Sequence, residues 1–136
     1  AAGPESAALV PGLPVMPRRG HLVITERGPR IIRHQVVELG YLHSAHTLGG
    51  ASVAFNVQPR TTGQLLVGSS RELVGFARGI NRPLLALLLA RATARIPALA
   101  AQRVVRCWTG FRPATCLRHA SSSVSRSASV SRNCSE

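Results

Sequence analysis

The segment richest in chemistry is a short run of aromatic, glycine and cationic residues that reads WTGFRP, Trp108 to Pro113. Gly110 lets a planar ligand approach the backbone closely, because glycine has no Cβ. Arg112, at a predicted strand end, can hold a carboxylate through two parallel hydrogen bonds. Taken alone, the segment is also compatible with a plain strand end that carries a core tryptophan and a solvated arginine.

The charged residues exclude several reaction mechanisms. All 17 basic residues are arginine and all five acidic residues are glutamate, so the formal net charge is +12 with neutral histidines. Without aspartate the chain contains no Ser-His-Asp triad, aspartate dyad or aspartate-based magnesium site. The three cysteines form no C-x-x-C pair, so the sequence predicts no zinc site.

The high positive charge permits the hypothesis of a nucleic-acid-binding protein, because clustered cations gain affinity by releasing phosphate counterions. However, the arginines are spread along the chain, 45% of the residues are apolar, and aromatic residues do not alternate with basic ones. Arginine in place of lysine, with abundant alanine and glycine, is also what a GC-rich bacterial gene encodes. We favour this compositional bias and expect no nucleic-acid partner.

The sequence predicts neither a signal peptide nor a transmembrane segment. The most apolar stretch, residues 83–90, is far shorter than the about 20 residues that cross a bilayer. We therefore expect a cytoplasmic protein.

Hydrophobic periodicity predicts the elements that position the WTGFRP segment. Strands are predicted over residues 20–26, 31–42, 52–58, 64–68 and 103–109. Val53, Phe55 and Val57 alternate with other residues, which is typical of a half-buried strand, and a short glycine-containing loop then predicts an antiparallel hairpin.

One helix is predicted between the hairpin and the last strand. Asn81 can cap its start, Pro97 stops it, and leucines cover most of its circumference. The order β-β-β-β-α-β favours the α+β class: a mostly antiparallel sheet with one long apolar helix packed on it.

Five segments, in the same order along the chain, resemble the FAD-dependent amino-acid oxidoreductases of the D-amino-acid oxidase, glycine oxidase and sarcosine oxidase superfamily. They read AAGPES (1–6), PVMPRRGHLVITE (14–26), QLLVGSSRELVGF (64–76), RIPAL (95–99) and WTGFRPAT (108–115). The last is similar to the family signature W-x-G-x-R-P-x-T, and the second to the P-x-R-G-[QH] stretch that leads into the substrate domain. The resemblance covers about residues 1–115 and implies a C-terminal fragment.

The resemblance also implies roles for particular residues. Arg112 corresponds to the ligand of the substrate carboxylate, and no catalytic acid–base side chain is required because the flavin accepts the hydride. Gly110 and Phe111 would lie near the isoalloxazine, and Gly3 would lie near the flavin at the domain junction. Three further residues are candidates for lining the pocket, or are ordinary strand-end and loop residues: Tyr41, His43 and His46.

The chain departs from the family pattern in two places. The G-x-G-x-x-G fingerprint that binds the FAD pyrophosphate is absent from the sequence. After Thr115 the family continues P-D-G-x-P, whereas here a serine-rich tract follows. We therefore expect residues 1–17 to be a remnant of the FAD-domain strand and linker, 18–115 to be a piece of the substrate domain, and 116–136 to be a disordered tail or, as we favour, the product of a frameshift.

These observations predict part of an FAD-dependent enzyme that oxidises the C–N bond of a small amino acid or amine. The missing FAD-binding domain would be its partner, and the isolated chain would be inactive. Two alternatives stay open: the nucleic-acid-binding protein, and a non-catalytic interaction module whose exposed sheet edges recruit a partner.

Overall fold

The structure is a computed structural model that describes residues 2–40 and 50–115. Five strands form one antiparallel sheet in the spatial order β2-β3-β4-β1-β5. They are β1 (Val15–Thr25), β2 (Val36–Val37), β3 (Ser52–Pro59), β4 (Leu65–Arg71) and β5 (Val104–Thr115). Two short helices, α1 (Ser6–Leu9) and α2 (Arg82–Arg95), and the 3₁₀ turns Gly3–Glu5 and Pro97–Ala101 complete the described elements. The α+β class and the mostly antiparallel sheet are confirmed.

The long apolar helix of the sequence prediction is not found in the described residues. Helix α2 has 14 residues, begins beside Pro83 and ends before Pro97. Leu88 and Ala92 are its only buried residues, while Leu87, on another face, is 49% exposed. A helix on a flat sheet buries only one stripe, so leucines outside that stripe stay accessible. No helix in the described ranges is long and apolar enough to cross a membrane.

Strand β1 and strand β5 are longer than predicted because they pair with each other over almost their whole length. Pro17 lies opposite Pro113, and both prolines interrupted the sequence pattern. Within the described residues β5 is an edge strand, where proline is tolerated because no further neighbour needs its N–H. Conversely, the described part of the predicted strand 31–42, residues 31–40, contains only the two strand residues of β2, and residues 41–42 lie outside the described residues.

The core lies between α2 and one face of the sheet, which we call the helix face. Val23, Val57, Val67 and Leu88 there have no exposed surface. Phe55 joins them, as the predicted alternation of β3 requires. The opposite side of the sheet, called the open face below, is not covered by α2.

Candidate functional site

Strand pairing brings together two motifs that lie about 90 residues apart in the sequence. Arg18 lies opposite Arg112, and Gly20 lies opposite Gly110. Because side chains alternate along a strand, these four positions share one face of the sheet. This is the open face, since Arg19 and Val23 project toward the helix face.

A cleft of about 180 Å³ lies on the open face. It is lined by Leu22, Asn56, Gln58, Leu66, Gly68, Ser69 and Arg112. The mixture of two leucines, two amides, a hydroxyl and one cation suits a small molecule that has an anionic group and a short apolar part.

Arg112, which lines this cleft, lies across the bare backbone of Gly20. Its Nη1 donates a long hydrogen bond of 3.4 Å to the carbonyl oxygen of Ser70. A Cβ built on Gly20 would lie 2.9 Å from that same Nη1 and 2.9 Å from the Ser70 oxygen. The guanidinium therefore occupies space that any side chain at position 20 would fill.

Arg18 and Arg71 also lie near Gly20. Arg19 and Glu72 pair through two backbone hydrogen bonds, so Arg71, which precedes Glu72, lies beside Gly20. The side chains of Arg19 and Glu72 meet on the helix face, and alternation directs their neighbours Arg18 and Arg71 to the open face. Burial, and the nearby charges of Arg71 and Arg112, lower the pKa of Arg18 below its usual value.

A buried ion pair lies directly behind these cations, on the helix face. Arg19 donates from Nε (3.0 Å) and Nη2 (2.9 Å) to Oε2 of Glu72, and its Nη1 donates to the Ala77 carbonyl at 3.0 Å. The Asn81 side-chain amide donates to the other carboxylate oxygen of Glu72 at 2.7 Å. The pair thereby joins β1, the end of β4 and the start of α2.

His21 is fully buried beside this ion pair. Its Nε2 accepts the backbone N–H of Asn81 at 2.9 Å, so Nδ1 carries the proton and donates to Ser70 Oγ at 2.6 Å. Because the carbonyl of Ser70 accepts from Arg112, His21 helps to fix the residue that holds the guanidinium.

Acid should destabilise the fold through His21. Burial lowers the pKa of His21, and Arg19 lowers it further, while Glu72 opposes the shift. Below about pH 6.5 the imidazole binds a proton in the unfolded chain but not in the folded chain. The free energy of unfolding is therefore highest above that pH and declines as the pH falls. We expect urea unfolding at pH 7.5 and 5.5 to show this loss, at most about 1.4 kcal/mol per pH unit. A His21→Gln variant should lose that slope; an unchanged slope would contradict the role of His21.

The structure brings together only some of the residues that the sequence singled out. Gly110 and Arg112 share the open face, and a Cβ at Gly110 would meet no atom within 4 Å. Phe111 lies on the other face, with its ring 5.3 Å from that of Phe76 in a T-shaped contact. Gly3 begins a 3₁₀ turn that contacts β1 and β5. The three predicted pocket-lining residues lie outside the described residues: Tyr41, His43 and His46.

The sequence alone indicates no role for Arg18, Gly20 or Arg71. In the sequence, the PRRG run is only part of a family resemblance, and the abundance of arginine fits a compositional bias. Alternation along a strand that starts before Gly20 would have placed Arg18 and Gly20 on one face. Arg71 gave no such signal, because its position depends on the pairing of β4 with β1.

Comparison with known proteins identifies the family of the chain. The family model described as FAD dependent oxidoreductase matches residues 1–134. Hydrogen cyanide synthase subunit HcnC of Pseudomonas protegens is 30% identical over 101 residues, which is 74% of this chain and 21% of the relative. The same subunit of Pseudomonas aeruginosa is 31% identical over 101 residues, with the same coverage. The chain thus spans about a fifth of these relatives.

Solved structures share the fold. Glycine oxidase from Geobacillus kaustophilus superposes with a TM-score of 0.67 and 24% identity, over 85% of this chain and 29% of that one. Iminodiacetate oxidase from Chelativorans sp. BNC1 gives a TM-score of 0.62 and 21% identity, over 86% and 30%. The comparisons give no support to a nucleic-acid-binding protein or an interaction module. The chain belongs to the FAD-dependent oxidoreductase family.

Proposed function

We propose that this chain forms the substrate-binding part of an enzyme that oxidises the C–N bond of a small amino acid or amine. The observation that carries the proposal is Arg112, whose guanidinium lies across Gly20 and lines the cleft of the open face. Two of the similar structures are oxidases of glycine, which has one carboxylate, and of iminodiacetate, which has two.

In this proposal the main task of Arg112 is to position the substrate. A guanidinium that grips the carboxylate with two parallel hydrogen bonds fixes both the place and the orientation of the adjacent Cα–H. Bound FAD would supply the acceptor for the hydride of that carbon. Loss of that hydride from the carbon and of a proton from the amino nitrogen to water would turn an amino acid into an imine, which water would hydrolyse to a 2-oxo acid with release of the nitrogen as ammonia or an amine. In this proposal the cleft supplies no acid–base side chain.

The open face fits the edge of a flat ring. Gly110 is exposed, and the space where it would carry a Cβ is open, whereas the Arg112 guanidinium covers Gly20 on the opposite strand. The cleft beside them is too small for a whole dinucleotide. The residues that hold the pyrophosphate and adenine would therefore come from the FAD-binding domain, and this chain would contribute the substrate side.

Binding of propionate to the full chain tests the role of Arg112. We expect NMR titration to shift the side-chain N–H of Arg112, and Arg112→Gln to weaken propionate binding about 10- to 100-fold, the usual value of a hydrogen bond to a charged group. Arg60→Gln removes the same charge from an exposed turn and should leave the affinity unchanged. Equal affinity of the wild type and Arg112→Gln would refute the proposal.

A further inference from the structure

We infer that the buried hydroxyl of Ser69 determines specificity in the cleft of the open face, by accepting a hydrogen bond from the amino group that an amino acid carries beside its carboxylate. The inference rests on the proposed function, because it assumes that Arg112 binds the carboxylate. It predicts that the cleft distinguishes acids with a hydrogen-bond donor on the adjacent carbon from plain carboxylates of similar size.

Strand β4 contains a β-bulge where it passes the cleft. Leu22 pairs with Gly68, and Arg19 pairs with Glu72. Residues 69–71 of β4 therefore lie opposite only two residues of β1, and this mismatch defines a β-bulge. The extra residue changes the direction in which a side chain points, which is why bulges are common next to binding sites.

The bulge directs Ser69 and Ser70 to opposite faces of the sheet. Ser70 Oγ bonds the backbone N–H of His21 at 3.0 Å and its Nδ1 at 2.6 Å, so it is held on the helix face. Ser69 lines the cleft of the open face together with Arg112. The carbonyl of Ser70 accepts from the Arg112 guanidinium. Ser69 therefore lies next to the proposed carboxylate site.

The hydrogen-bonding capacity of the Ser69 hydroxyl is not used within the described part of the chain. Ser69 is 2% exposed, and its Oγ is buried without a hydrogen-bond partner among the described residues. The large majority of buried hydroxyls in proteins have a partner, so an unpaired one that lines a cleft is a candidate partner for a ligand. Because the hydroxyl has no such bond to break, the side chain can rotate about χ1 and present it to a ligand.

The other polar groups of the cleft are less suited to an amino group. None of the described lining residues is acidic. The side-chain oxygen of Asn56 already accepts from Gln35 at 2.9 Å, and Gln58 is half-buried, so water can satisfy its amide. A serine hydroxyl can accept a hydrogen bond from an N–H group. An amino acid held by Arg112 thus finds an acceptor for its amine in Ser69.

The size of the cleft agrees with contacts at both ends of a compact ligand. Its volume of about 180 Å³ corresponds to roughly six water molecules at liquid density, which is enough for a three-carbon acid. A carboxylate bound alone leaves the rest of the ligand free to rotate about the axis of that group. A second hydrogen bond, to the substituent on the next carbon, fixes the orientation of the Cα–H.

Propionate and lactate form a matched pair of probes. Lactate carries a hydroxyl where an amino acid carries its amine, and both acids have a single negative charge. NMR titration of the full chain at constant pH and ionic strength should show that the better-binding enantiomer of lactate binds about 3- to 10-fold more tightly than propionate, the usual value of one neutral hydrogen bond. Both acids should shift the side-chain N–H of Arg112.

Ser69→Ala removes the hydroxyl and should bring the ratio of the lactate and propionate affinities close to one. It should not lower the free energy of unfolding, because the hydroxyl has no hydrogen bond to lose within the described residues. Ser52→Ala is the matched control: Ser52 Oγ is also buried without a partner among the described residues, but Ser52 does not line the cleft. This variant should keep the wild-type ratio.

The outcomes separate the inference from the proposed function. Equal affinity of the wild type for the two acids, with both shifting Arg112, would overturn the inference and leave the proposed function standing, and so would a wild-type ratio in Ser69→Ala. If neither acid perturbs Arg112, both fail together. Should Ser69→Ala lose its circular-dichroism signature of folding, the wild-type ratio and Ser69→Cys still decide, because a thiol of similar size is a weak acceptor and should lose most of the preference.

Discussion

Replacing Glu72 by glutamine is expected to lower the free energy of unfolding by about 3–5 kcal/mol, because it leaves the Arg19 guanidinium buried without its counter-charge. Both side chains of this pair are less than 10% exposed. The carboxylate also accepts from Asn81, the residue that caps α2. Urea or guanidinium unfolding of the purified chain, followed by circular dichroism, measures the loss.

The chain offers a matched control in the ion pair of Glu26 with Arg103. Its N–O distance is 3.2 Å, but the arginine side chain is 80% exposed. Water screens this pair, so Glu26→Gln should cost no more than about 1 kcal/mol. If Glu72→Gln lowered the free energy of unfolding no more than Glu26→Gln does, the buried pair would not be essential to the fold.

A double replacement distinguishes the loss of a favourable pair from the cost of an isolated charge. Arg19→Met with Glu72→Leu removes both charges and keeps the volume, so it should recover much of the stability lost in Glu72→Gln. The same variant tests the site on the other side of the sheet. Arg18 and Arg71 adjoin this pair in sequence, so retained propionate binding would show that the position of Arg112 does not depend on the pair.

Local patterns were sufficient to predict the hairpin of β3 and β4. Val53, Phe55 and Val57 are buried as their alternation requires, and the turn between the strands is short. The strand order along the chain and the capping of α2 by Asn81 also followed from local signals. Each of these features depends on residues only a few positions apart.

The extents of β1, β2 and β5 depend on partners far away in the sequence, so local patterns missed them. Pro17 and Pro113 interrupt the strand pattern, yet they lie inside strands because β1 and β5 pair across them. The 31–42 segment is rich in β-branched residues, but within its described part, 31–40, Val36 and Val37 are the only residues that pair with β3 as a strand. Register cannot be deduced when the pairing segments are tens of residues apart.

In the candidate site too, local motifs indicate some residues, whereas others depend on pairing between distant strands. The resemblance placed Arg112 and Gly110 in one motif, and the sheet puts both on the open face. It also grouped Phe111 with them, although alternation directs that ring to the other face, where it packs on Phe76. Gly20 became part of the site only through the register of β1 against β5, which no single segment encodes.

Gly20→Ala is the second change with a large expected effect. The new methyl group would lie 2.9 Å from the Ser70 carbonyl oxygen, which belongs to the backbone of β4, and 2.9 Å from Nη1 of Arg112. The backbone oxygen cannot move without disturbing the sheet, so the guanidinium must leave. We expect a loss of about 1–3 kcal/mol in stability from overpacking. Propionate affinity should fall about 10- to 100-fold, as for loss of a hydrogen bond to a charged group.

Gly110→Ala provides the control, because Gly110 lies opposite Gly20 on the same face and its Cβ would meet no atom within 4 Å. This change should leave stability and propionate binding nearly unchanged. If instead Gly110→Ala abolished binding and Gly20→Ala did not, the ligand would lie over β5 rather than against the guanidinium held across β1. If only Gly20→Ala loses propionate affinity, carboxylate binding depends on the position of Arg112. The alanine removes no charge and no hydrogen-bonding group from the cleft.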